Sequence, residues 1–292
     1  MAYSAIDAAR LEQWLRVGAD RLPGHPEARI RLQILPTPED VHRHFAQSVF
    51  DEIAANNREG RPTRLIVPCG PREPIPILAR MVNERRLSLR NVHLFHMDEH
   101  LDWQGRPYPL DSPWSFEGWW RRHFYDVVDP ELNVPESQRH FPSPYDLDGM
   151  ARAIDAAGGI DTAYGGIGFH GHIAYNEPPL APWPVVSAEQ FRQSTTRIVS
   201  LNVDTIIAMA QREAGGAVQL VPTMAITLGM REILAARRIR LYSTTGAWKQ
   251  TALRIALFGP VTVEYPVTFL QEHPDALIVV DRATAEPPEW AY

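Results

Sequence analysis

Short runs of strand-forming residues alternate with amphipathic helical segments along most of this 292-residue chain. That alternation limits the fold more than any other feature. RLQILP (31–36), TRLIVP (63–68), NVHLFHMDEHLD (91–102), IDTAYGGIG (160–168), RIRLYSTTG (238–246) and DALIVVD (275–281) read as strands. Between them, 37–60, 75–86, 146–159, 203–216, 221–236 and 247–259 read as helices. Thr37 is placed to cap the first of these, with Pro38 at its first position and Val41, Phe45, Val49 and Ile53 on one face. Strands separated by helices of this length predict a mainly parallel sheet with helices on both faces, a three-layer α/β/α, Rossmann-like arrangement. Residues 1–28, with Ile6, Leu11, Trp14 and Leu15 at helical spacing, read as an N-terminal helical extension to a single domain over 29–292.

In such sheets chemistry gathers beyond the carboxyl ends of the strands. Three segments fall there: Cys69–Pro74, His96–Asp102 and Gly168–Pro179. WQGRPYPLDSPWSFEGWW and NEPPLAPWPVV are long connections of the kind kept for lids and site walls. Net charge −6 argues against a nucleic-acid surface, while leaving room for a local anion site. One cysteine, Cys69, fits a reducing compartment, and no apolar run approaches a bilayer span. With no apolar signal core at the N-terminus, the expectation is a cytoplasmic protein without membrane partners.

The most informative string is GGIGFHGHIAYNEPP, 165–179. In an extended segment His170 and His172 point to one side, and the glycines, Gly168 and Gly171 among them, bring backbone close to a ligand. Glu177 beside an imidazole makes an acid–base pair. In HMDEH, Asp98 and Glu99 face opposite ways, so one can enter a cleft as a base while the other braces the loop. His96, His100, His170 and His172, with the nearby carboxylates, are also possible ligands for a divalent metal, though no HExxH frame orders them. CGPREP is a poor backbone phosphate cradle because two prolines remove donors, which leaves the Arg72 side chain as its anion ligand. Lys249 lies in the first turn after TTG.

Taken together, these residues resemble the glucosamine-6-phosphate deaminase family. GGIGFHGHIAYNEPP is similar to its G-x-G-x-D-G-H-I-A-F-N-E-P signature, FHMDEHLD to its F-N-M-D-E-Y segment, and DSPWSFEGWWRRHFYDVV to the segment after it. VPTMAITLGMREIL, STTGAWKQTAL and QEHPDALIVVD follow in the family's order, so the resemblance runs from about Arg29 to Arg282. It implies an enzyme that isomerises and deaminates an amino sugar phosphate without a cofactor, in a family whose assemblies include homo-oligomers. By resemblance Asp98 is the base between C2 and C1, His172 opens the sugar ring, Glu177 is its partner and Lys249 binds phosphate. Cys69, Gly70, Arg72, Glu99, Gly168, Gly171 and Arg212 fall at the substrate positions, and 197–222 at the mobile lid.

Three departures stand out. His170 replaces an aspartate, Cys69–Gly70–Pro71–Arg72 replaces T-G-G-T, and the lid arginine falls near Gln211 or Arg212. Phosphogluconolactonases share the implied fold and a G-H-T segment but generally lack N-E-P. Alternative readings are an isomerase or metal-dependent hydrolase built on the extra histidines, or a sugar-binding protein with reduced catalysis.

Overall fold

The computed structural model describes residues 4–179 and 185–291; the centre of the NEPPLAPWPVV connection therefore lies outside the described residues. Its main sheet is built from β1 (Arg31–Leu35), β2 (Thr63–Val67), β3 (Val92–His96), β5 (Arg139–His140), β6 (Thr162–Gly166), β9 (Arg238–Ser243) and β10 (Ala276–Asp281). β4 (Asp98–Leu101), β7 (Arg197–Ser200) and β8 (Met224–Thr227) form a second sheet. The helices are α1 (Ala8–Leu15), α2 (Pro38–Arg58), α3 (Pro74–Glu84), α4 (Phe116–Trp120), α5 (Gly149–Ala157), α6 (Ala188–Arg192), α7 (Val203–Glu213), α8 (Met230–Leu234), α9 (Gln250–Phe258) and α10 (Arg282–Ala285).

The main sheet has the order β1-β10-β9-β6-β2-β3-β5, and each of its pairings is parallel. Alternate residues of its strands feed opposite layers. Leu65, Val67 and Leu94 pack with Val41, Phe45 and Leu78 of α2 and α3. Ile66 and Phe95 instead join Ile154 of α5 and Leu253 of α9. This period-two division is what a parallel sheet covered on both faces requires. Thr37 caps α2 as expected, its hydroxyl accepting from the Asp40 N–H, with Pro38 at the first position.

Residues 6–22 pack on the rest of the fold. Ile6, Trp14 and Leu22 belong to the core cluster of α9, and Arg254 donates to the carbonyls of Trp14 and Val17. Among the described residues, no helix is long and apolar enough to cross a membrane.

Two expected elements take another form. NVHLFHMDEHLD is not one strand. Met97 breaks it, donating its N–H to Val67 and accepting from Leu228, so that β3 stays in the main sheet while β4 turns into the second. The segment 221–236, expected to be one helix, is strand β8 followed by the short α8. β8 lies antiparallel between β4 and β7, and pairing with two strands outweighs its helical spacing. Gly229 makes the turn possible, since a Cβ there would lie 2.0 Å from the Ser194 carbonyl oxygen.

Candidate functional site

The chain leaves β2 for β3 and β5 on one side, then returns through β6 to β9 and β10 on the other. The crevice at the carboxyl ends of β2 and β6 is therefore the switch point where such sheets bind ligands. A cleft of about 420 Å³ opens there, within the size range of small-ligand sites. A larger depression of about 690 Å³ lies elsewhere, against α2 and α3.

Cys69, Gly70, Arg72, Asp98, Gly168, His172, Arg212 and Lys249 line the cleft, brought together from five separate segments. Asp98 begins β4, directly after the Met97 break, so the kink that divides the strand also aims the carboxylate inward. Burial, and secondarily the Glu99 charge, raise its pKa to about 8. His172 is buried and held neutral, its pKa lowered to about 3 by burial and then by Lys249 and His170. Its imidazole lies directly over Gly168: a Cβ at that position would sit 1.7 Å from Nε2. Glycine is required at 168 by this contact, not by backbone torsion.

Glu177 stands behind His172, with Oε1 3.6 Å from Nδ1, too long for a hydrogen bond. Its oxygens are held from α7, by the Asn202 N–H at 2.6 Å and the Thr205 hydroxyl. Burial raises its pKa to about 7 against those hydrogen bonds. Lys249 is buried too, and burial, then Arg212, lower its pKa to about 7. Burial also pushes the Cys69 thiol up, so it remains protonated and inert.

Besides Glu177, three expected site residues lie off the cleft lining. Glu99 is turned away from the cleft. It accepts from the N–H groups of His100, Phe116 and Glu117 at 2.7–2.9 Å and so anchors the start of α4. Gly171 has φ +66 and backs onto Val267 and Tyr265. The turn it makes separates the two histidines expected to share a side, and His170 does not line the cleft but forms an ion-pair contact with Asp204 of α7.

The suggested metal constellation does not assemble either. His96 stacks on Phe141 and bonds Tyr125, while both ring nitrogens of His100 are engaged by the Trp114 carbonyl and the Tyr175 hydroxyl. Among the described residues, no group of three or more histidine, cysteine or acidic side chains is arranged to hold a metal ion.

Asn202, Asp204 and Thr205 went unread in the sequence. They start α7, and their polar character was visible, but the carboxylate and imidazole they meet are set by tertiary packing.

No family model matches the chain. Individual proteins do. The chain is 34% identical over 262 residues to a glucosamine-6-phosphate deaminase of Porphyromonas gingivalis, covering 87% of this chain and 92% of that protein. A glucosamine-6-phosphate deaminase of Cronobacter sakazakii is also 34% identical, over 86% of this chain and 90% of its own. The chain belongs to the glucosamine-6-phosphate deaminase family. Among solved structures, a monomeric glucosamine-6-phosphate deaminase matches with a TM-score of 0.73 at 25% identity, over 87% of this chain and 98% of its own. A 6-phosphogluconolactonase of Thermotoga maritima matches with a TM-score of 0.62 at 16% identity, a likeness of fold alone. This chain carries His170, paired with Asp204, two residues before His172, and Arg72 in the loop after β2.

Proposed function

We propose that this protein converts glucosamine 6-phosphate, or a closely similar amino sugar phosphate, to the ketose phosphate and ammonia. The observation that carries this reading is the convergence of Asp98 and His172, from opposite flanks of β2, on one sugar-sized cleft. Neutral His172 accepts the O1 proton and returns it to O5, opening the pyranose. Asp98, once ionised, takes the C2 proton and generates an enolamine. Protonation of C1 by the same carboxyl gives the C2 imine of the ketose, which water hydrolyses with release of ammonia. Glu177, fixed by α7, orients His172 and favours any transient imidazolium. Lys249, Arg212 and Arg72 take the phosphate at the far side of the cleft.

The test is incubation of purified protein with glucosamine 6-phosphate, with ammonia and ketose phosphate assayed separately. Equal amounts of both support the reading. Isomerised amino sugar without ammonia, or no conversion at all, contradicts it.

A further inference from the structure

Arg72 has a partner already. Its Nη2 lies 3.4 Å from Oε2 of Glu213, and both residues line the cleft. The guanidinium is also held over the rings of Phe116 and Trp119, 5.9 and 5.7 Å from their centroids. Glu213 is the last residue of α7 and follows Arg212, so the end of that helix delivers a cation and an anion side by side to the mouth of the cleft.

We infer that Glu213 is a built-in competitor for the substrate's phosphate, occupying Arg72 until a phosphoryl group displaces it. The inference deepens the proposed function, resting on its placement of the phosphate at the Arg72 side of the cleft. Carboxylate and phosphoryl oxygens offer the same paired acceptor edge to a guanidinium. Since ring contacts fix the Arg72 plane, one acceptor can replace the other with little movement of the arginine. A doubly charged phosphoryl group wins this exchange against a single carboxylate, whereas a sugar hydroxyl does not. Glu213 thus costs a phosphorylated ligand some affinity, which removing the carboxylate returns.

The experiment compares wild type with Glu213→Gln in the Arg72 and Arg72→Met backgrounds. Inorganic phosphate binding is measured by calorimetry, and KM and kcat with glucosamine 6-phosphate; folding is verified by circular dichroism and melting. In the Arg72 background, Glu213→Gln is expected to tighten phosphate binding and lower KM by about three- to tenfold, with kcat within about twofold, the scale of a partly exposed ion pair. With Met at 72 the gain falls below about twofold. An unchanged or weaker phosphate affinity in folded Glu213→Gln overturns the inference, as does an equal gain in both backgrounds or no phosphate binding in any variant. Tighter phosphate binding in a protein that does not turn over glucosamine 6-phosphate upholds the competition and refutes the proposed reaction instead.

Discussion

His170 and Asp204 are in ion-pair contact, joining the loop that carries His172 to the first turn of α7. Family resemblance alone suggests that His170→Asp rebuilds a lost carboxylate relay. The contact with Asp204 argues the reverse, because two carboxylates would then face one another. His170→Asp is predicted to lower kcat/KM for ammonia release by about tenfold, and His170→Asp with Asp204→His to recover most of the loss. Steady-state kinetics of the two variants decide it; a single variant as active as wild type contradicts the pairing.

Gly168 makes a sharper prediction. A methyl group at this position overlaps the His172 ring, so the imidazole must move. Displacements of about 1 Å near reacting atoms cost on the order of 100-fold in rate. Gly168→Ala should therefore lose about 100-fold in kcat while retaining its fold, as judged by circular dichroism. Near-normal turnover would show that the ring's position is unimportant.

The pH profile follows from two displaced pKa values. Asp98, raised to about 8, must be ionised to act as base, so activity rises with pH through about 8. Lys249, lowered to about 7, must be protonated to attract phosphate, so activity falls with pH through about 7. His172, held near 3, adds no limb in this range. kcat/KM, which reports the free enzyme, is predicted to trace a narrow bell between about 7 and about 8. Lys249→Arg should remove the alkaline limb and leave a plateau. A flat profile from about pH 6 to about pH 9 would contradict both assignments.

Glu99 is predicted to matter for stability and for the charge of its neighbour. Glu99→Ala strands backbone donors at the start of α4, and chemical denaturation should register a loss of about 3 kcal/mol. Glu99→Gln keeps an acceptor and should lose less. Because the Glu99 charge helps to raise the Asp98 pKa, the Gln variant should also shift the acid limb of the profile to lower pH. An acid limb unmoved by Glu99→Gln would mean that this charge is not felt at Asp98.

The main sheet was legible because its strands and helices have distinct periods, and because Thr37–Pro38 announces a helix start. The second sheet was not. Met-Ala-Ile-Thr of β8 has no strand signal independent of β4 and β7, which pair with it from distant parts of the chain. Asp98 and His172 could be read as a pair because each follows the carboxyl end of a main-sheet strand, β3 and β6. The opposed directions of Asp98 and Glu99 were legible too, but not which of the two entered the cleft. The partners of His170 and Arg72 were beyond reach, since both come from α7, whose docking is decided by contacts distant in sequence.

The central claim is that Asp98 carries the proton between adjacent sugar carbons, and deuterium incorporation tests it most directly. With glucosamine 6-phosphate in deuterated buffer, NMR should detect solvent deuterium at C1 of the ketose product from wild type. Asp98→Asn should lose both that signal and ammonia release by about 1,000-fold. The same variant should be more stable than wild type above about pH 8, because the pKa of Asp98 is raised in the fold and its stabilising contribution is lost as pH rises through that value. Undiminished deuterium incorporation by a folded Asp98→Asn variant would contradict the account.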